Sequence, residues 1–315
     1  MKKFCCFSTT FLLLTWAVIG GAAQAEESYT RREDVIYGRK FGTALTMDVF
    51  TPTKNANGAA VVLCISGGWI SNHDQIQPLF VTEFIKRGYT VFAVVHGSQP
   101  KFTIPECVAD INRSVRYIRT HASDFKIDPQ RIGISGASAG GHLSLMLGCA
   151  GDEGDPKAKD PVERASSRVQ AVACFFPPTD FLNYGKPGVK SLGTEAEHKF
   201  KPPFDFHVQD PATKLFKPVD LETREKIVKE MSPIYHVTKD DAPTLIIHGD
   251  ADNLVPLQQS EVIIEKLTEA GVPAQLVVKK GAGHGWASIL FDDSRTITDW
   301  FDKYLKAPQT AQTTK

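Results

Sequence analysis

The chain has 315 residues, 42% hydrophobic and 23% charged, which is enough to bury a sizeable core and ordinary for a globular protein. Its 36 Lys and Arg balance 36 Asp and Glu, so no global field draws it to nucleic acid or to an anionic surface. No basic block interleaved with aromatic residues supplies a local one, and nucleic acid is set aside as a partner.

The first residues read as an address rather than as fold. Lys2 and Lys3 precede an apolar run over residues 11–19, followed by Gly20, Gly21 and the sequence Ala23-Gln24-Ala25. That is the basic region, apolar region and small-residue cleavage site of a signal peptide. The run is short for a membrane span and no stop-transfer segment follows. Residues 1–25 are therefore expected to be removed, leaving an exported chain, periplasmic or secreted, with no stable membrane anchor. Cys5 and Cys6 leave with the signal. Of the remaining cysteines, Cys64 and Cys174 sit inside strand-like apolar runs and Cys149 closes an apolar helix. They are expected to be buried free thiols, and no C-x-x-C pair points to metal or redox work.

From Asp34 onward VIYGRKF and LTMDVFTP read as two antiparallel strands joined by a turn near Gly42. The β-branched run AAVVLCISGG follows, suited to a strand covered on both faces. Apolar residues at helical spacing then predict a helix over 77–87, ended by Gly88. The alternation repeats: strand TVFAVVHG, helix 104–121, strand RIGIS, helix 139–149, strand VQAVACFF, strand TLIIHGD, helix 257–270, strand AQLVVKK and helix 294–305. Such alternation with short connections predicts an α/β fold, a doubly wound and mostly parallel eight-stranded sheet with helices on both faces. One domain over 26–305 is expected, with a frayed tail over 306–315. Residues 181–241 break the rhythm with a connection too long for a plain loop, read as a lid over the carboxyl ends of the strands with one helix at Leu221–Glu230.

Candidate chemistry lies at those strand ends. In RIGISGASAGGH only Ser138 has glycine two positions before it (Gly136) and two after it (Gly140). A serine at the apex of a strand-to-helix turn is held in a strained backbone conformation, and side chains two positions away would collide there. Ser138 is thus the candidate nucleophile, and Ser135 is expected to point into the sheet. A serine hydroxyl needs a base, and the base needs an orienting acid. His284, between Gly283 and Gly285 after the last strand, is the candidate base. The loop after TLIIHGD offers Asp250 and Asp252. Asp252, deeper in the loop, is taken as the acid, and Asp250 is expected to cap loop amides. His248 and His142 are expected to be packed structural residues. Ala139 can supply one backbone N–H to an oxyanion, and Ser66-Gly67-Gly68-Trp69 the second through Gly68 or Trp69. Gly67, His96 and Trp286 are expected to line the substrate pocket. No histidine cluster has the spacing of a metal site, and the chemistry needs no metal or organic cofactor.

These motifs, S-G-G-W, G-A-S-A-G-G-H, H-G-D-A-D-N-L-V-P and G-H-G-W, make the chain resemble the α/β-hydrolase superfamily over about residues 30–305. Within it the chain is similar to hormone-sensitive-lipase-like and acetylxylan/feruloyl-type esterases. Two departures stand out: Ser66 replaces the histidine of the usual H-G-G, and VVHGSQPKFTIPE replaces the Tyr-Arg-Leu-Ala-Pro stretch after the fourth strand. The resemblance implies carboxylester hydrolysis through an acyl-serine, on short-acyl or aromatic-acid esters, small or polysaccharide-linked. Two other readings share the fold: a prolyl-oligopeptidase-like peptidase, whose usual N-terminal propeller has no room here, and a catalytically silent binding protein.

Overall fold

The computed structural model describes residues 28–192 and 207–306. The expected signal peptide, most of the tail and the middle of the 181–241 insertion lie outside the described residues.

In chain order the elements are β1 (Tyr29–Lys40), β2 (Thr43–Pro52), β3 (Ala60–Ile65), α1 (Thr82–Lys86), β4 (Thr90–Val95), α2 (Ile104–Thr120) and α3 (Ala122–Phe125). There follow β5 (Ile132–Ala137), α4 (Ala139–Ala150), β6 (Ala171–Phe175), β7 (His207–Gln209), β8 (Phe216–Pro218) and α5 (Leu221–Glu230). The chain closes with β9 (Thr244–Gly249), α6 (Gln258–Glu269), β10 (Ala274–Lys279) and α7 (Asp292–Leu305).

Eight strands form one sheet in the order β1-β2-β4-β3-β5-β6-β9-β10. Pairing is antiparallel for β1–β2 and β2–β4 and parallel from there on. The β-branched run of β3 is central and almost wholly buried, as a strand with helices on both faces must be. On one face Val62, Ile134 and Val172 pack with Ile111 and Val115 of α2, Leu143 and Leu147 of α4 and Ile263 of α6. On the other, Val61, Ala173 and Ile247 pack with Phe84 and Ile85 of α1 and with Ile297 and Phe301 of α7. Helix α2 starts on a reciprocal cap, in which Thr103 and Glu106 satisfy each other's backbone amides.

Two expectations change. Residues 77–87 do not form one helix: Pro78 opens a 3₁₀ turn to Val81, and only Thr82–Lys86 is α-helical. Leu79 and Phe80 consequently face outward while Val81, Phe84 and Ile85 are buried. Within the insertion, α5 stands where the sequence places it, but the short antiparallel hairpin β7–β8 was not foreseen. The carboxyl-terminal end of the insertion is bolted to the loop after β6: Ile234 N–H donates to Thr179 O (3.3 Å), and Tyr235 Oη donates to Asp180 Oδ1 (3.1 Å). Cys64, Cys107, Cys149 and Cys174 are buried and free.

Candidate active site

At the end of β5 the chain must reverse into α4 within one residue. Ser138 makes that turn at φ 55°, ψ −120°, a region that side chains rarely occupy. Its neighbours show why glycine is required. A Cβ on Gly136 would lie 2.5 Å from the backbone of Gly140, and a Cβ on Gly140 would lie 2.6 Å from Cys64 O. The turn is tied down by Ser138 N–H donating to Phe175 O at 3.0 Å and His142 N–H donating to Ser138 O at 2.9 Å.

His284 reaches this hydroxyl from the loop after β10. Its Nε2 lies 2.9 Å from Ser138 Oγ and its Nδ1 2.7 Å from Asp252 Oδ2. A carboxylate only accepts, so Nδ1 carries the proton and Nε2 is left to accept from the serine. The ring rests against Phe176, with centroids 4.5 Å apart. Asp252 is fully buried at its side chain. Burial would raise its pKa, but the hydrogen bonds from His248, His284 and the Val255 and Leu254 amides outweigh that and hold the carboxyl well below the usual range. Those amides bind Oδ1 at 2.9 and 2.8 Å, leaving Oδ2 for the imidazole.

The other acid takes a different partner: Asp250 Oδ1 accepts from Gly281 N–H at 2.5 Å. His248 is fully buried, with Nε2 2.9 Å from Val255 O and Nδ1 2.6 Å from Ser260 Oγ.

Gly68 and Trp69 form the two-residue turn of a tight hairpin, closed by reciprocal Gly67–Ile70 backbone hydrogen bonds of 3.0 and 2.9 Å. Both sit at positive φ, 55° and 58°, as the turn type that fits a twisted hairpin demands. The space beside Gly67 and Gly68 is open: a Cβ on either would meet nothing within 4 Å. Gln99 holds this turn from behind, its Nε2 donating to Gly68 O (2.8 Å) and its N–H to Trp69 O (3.2 Å). Ala139 is the first residue of α4, where helix N–H groups lack intrahelical partners.

A cavity of about 510 Å³ opens beside these groups, lined by Gly67 and Ala137, the chain neighbours of Gly68 and Ser138, and by Phe80, Phe84, Phe175 and Ile289 among others. Its floor is hollow because β5 presents the small Ser135 and Ala137 to it between the bulkier Leu63 of β3 and Phe175 of β6. Ser135 lies buried within the sheet, as a β5 residue paired with Leu63 and Ala173, and also lines the cavity. Gly67 lines it too. His96 and Trp286 are not among its lining residues. His96 is buried with Nδ1 2.7 Å from Gly97 O and Nε2 2.8 Å from Ser66 Oγ, so it holds the serine that stands where the related motif has histidine. Trp286 donates from Nε1 to Asp293 Oδ2 (2.6 Å) and packs on Phe175 and Phe176. Gln99 and Phe176 escaped sequence reasoning, since neither lies in a recognisable spacing.

The sheet order, the sharp serine turn and the hydrogen-bonded row of serine, histidine and aspartate define an α/β-hydrolase fold. The family described as BD-FAE matches residues 47–267, well over half of the chain, and the chain belongs to that family. A second match, to the family described as TAP-like protein, covers residues 224–315. Among curated proteins the chain is similar to the probable carboxylic ester hydrolase LipM of Mycobacterium tuberculosis, 28% identical over 76% of this chain and 52% of that protein. Esterase LipQ of the same organism is 27% identical over 76% and 53% respectively. The chain thus spans about half the length of these relatives. Among solved structures, the truncated form of a carbohydrate esterase from gut microbiota superposes with a TM-score of 0.68 at 27% identity, covering 88% of this chain and 98% of that one.

Proposed function

We propose that this chain is an exported serine carboxylesterase that hydrolyses short-acyl or aromatic-acid esters, small or polysaccharide-linked, through an acyl-serine. The observation that carries the reading is the row Ser138 Oγ, His284 Nε2 and Nδ1, Asp252 Oδ2, with links of 2.9 and 2.7 Å. Such a row is worth little unless a site for the reacting carbonyl lies beside it, and the open space at the Gly68 turn and the neighbouring 510 Å³ cavity, which Gly67 and Ala137 line, support the reading.

In this mechanism Ser138 Oγ attacks the ester carbonyl carbon while its proton passes to His284 Nε2. Asp252, ionised and buried, keeps the imidazole in the accepting tautomer and stabilises the imidazolium that forms. The carbonyl oxygen, now negative, is held by the N–H of Ala139 and that of Gly68 or Trp69. Collapse breaks the bond to the alcohol oxygen, which takes the proton from His284. Water then repeats the sequence on the acyl-serine: His284 takes its proton, the new C–O bond forms, and the Ser138–acyl bond breaks with return of the proton to Oγ. No step calls for a metal or an organic cofactor.

The names of the relatives, esterase and carboxylic ester hydrolase, support ester over amide as the substrate bond. The leader-like residues 1–25 support export, and among the described residues no helix is long and apolar enough to cross a membrane. The test is a panel of p-nitrophenyl acetate, butyrate and octanoate, a feruloyl ester, acetylated xylan and a peptide p-nitroanilide, each with Ser138→Ala as control. Ester turnover that vanishes in the control is expected; turnover of the anilide alone points to a peptidase, and no turnover of any substrate points to a binding protein.

A further inference from the structure

One helix carries the nucleophile and a second, unassigned connection. His142 lies one turn into α4 from Ser138 and is fully buried. Its Nε2 is 2.7 Å from Met231 O, the residue that ends α5 of the insertion. A carbonyl can only accept, so Nε2 bears the proton and Nδ1 is bare. The indole Nε1–H of Trp69 donates to that bare nitrogen at 3.2 Å. Burial pushes the imidazole pKa down to about 4, so the ring stays neutral with this tautomer at neutral pH.

Trp69 has a reason to need the contact. Its backbone sits at φ 58°, where a bulky side chain is strained, and such a conformation persists only if its surroundings over-determine it. The indole is wholly buried, edge-on to His142 at 5.4 Å and tilted against Phe181 at 5.9 Å. Gln99 grips the same turn from the other side through Gly68 O and Trp69 O. The planar trans peptide then aims Trp69 N–H opposite to the held Gly68 carbonyl. Indole and amide clamps together leave the turn one orientation.

We propose that His142 is a positioning residue for oxyanion stabilisation: by accepting from the Trp69 indole and donating to Met231 O, it fixes the Gly68–Trp69 turn and ties it to the seat of the insertion. The proposal rests on the reading of that turn as an oxyanion donor. It makes α4 the common mount of the nucleophile, one N–H donor and the clamp on the other.

The test compares Trp69→Phe, His142→Asn, His142→Gln and His142→Phe in the full chain. An Asn carbonyl oxygen falls where Nδ1 was and can accept from the indole; a Gln amide nitrogen falls where Nε2 was and can donate only to Met231 O. Measured are kcat and KM on p-nitrophenyl acetate, inhibition by a trifluoromethyl ketone that mimics the tetrahedral adduct, and the melting temperature. Losing an oxyanion donor typically costs on the order of 100-fold, so a misaimed donor should lower kcat by roughly 10- to 100-fold. Trp69→Phe, His142→Gln and His142→Phe are expected to show that loss with KM within about twofold and ketone affinity falling in parallel. His142→Asn should stay within about threefold. Wild-type kcat and ketone affinity in Trp69→Phe, or a His142→Asn loss as deep as that of His142→Gln at an unchanged melting temperature, would overturn the proposal. Should the His142 variants fail to fold, Trp69→Phe alone decides. Absence of hydrolysis in the wild-type protein is a separate outcome, which removes the proposed function itself.

Discussion

At the scale of single residues, the site is a contest between carboxylates that the sequence leaves two positions apart. Asp250 and Asp252 are chemically alike, and what separates them is the loop. Asp252 is turned inward, with one oxygen occupied by two amides and the other by His284, whereas Asp250 accepts from Gly281 on the exposed side of the same loop. Replacing Asp252 by Asn puts a donor or a weaker acceptor against Nδ1 and favours the wrong imidazole tautomer. Losses near 10⁴ in kcat are typical of that change, so Asp252→Asn should fall by roughly that factor on p-nitrophenyl acetate while Asp250→Asn stays within about threefold. A deeper loss in Asp250→Asn would reverse the two assignments. Ser135 and Ser138 pose the same kind of choice, and the glycine spacing singles out Ser138 as the residue at the turn because the reason for the spacing is local: the Cβ collisions at Gly136 and Gly140 involve only the turn and the adjoining strand.

Elements were legible where the hydrophobic pattern is strong and the caps are explicit. The buried β3 run, α2 with its Thr103–Glu106 cap and α5 behind Asp220, whose side chain accepts from Thr223 N–H, all stand where the sequence places them. The helix expected at 77–87 was misread because its apolar residues satisfy the periodicity while Pro78, at its start, commits the first turn to a tighter geometry. Residues 79 and 80 thereby rotate outward, and Phe80 becomes a wall of the cavity. The cavity was illegible for a related reason. It arises from two small side chains on β5, those of Ser135 and Ala137, meeting large ones on β3, β6, α1 and α7, a relation that exists only once the strands are in register. His96 was legible as a strand-end histidine, but its hydrogen bond to Ser66 joins two different strand ends and has no signature in either. The His142 link between Trp69 and Met231 is longer-range still, spanning three segments far apart in the chain.

The whole molecule carries these neutral histidines as a pH-dependent liability. Burial pushes both His96 and His142 down to about 4, reinforced for His96 by the nearby Lys40 ammonium. An unfolded chain has histidines near 6.5, so between about pH 6.5 and 4 the unfolded state binds protons that the folded state refuses. Stability contributed by each is thus complete above pH 6.5 and is lost as pH falls toward 4, on the order of 2 kcal/mol per histidine between pH 7 and 5. Asp252, held low, acts in the same direction only below the ordinary carboxylate range near 3.9. Urea unfolding at pH 7 and pH 5 should therefore show a fall in stability that is smaller by about 2 kcal/mol in His96→Asn. An equal fall in both proteins would mean that His96 is not held neutral by its burial.

Beyond stability, the fold as a whole serves to bring loops after β3, β5, β9 and β10 to one edge of the sheet, and the central claim concerns what happens there to a single hydroxyl. The most direct measurement is intact-protein mass spectrometry after a brief exposure to a fluorophosphonate, followed by peptide mapping. One adduct per chain is expected, mapped to Ser138, absent in Ser138→Ala and formed far more slowly in His284→Asn. No adduct on the wild-type protein, or an adduct on Ser135 or another serine, would contradict it.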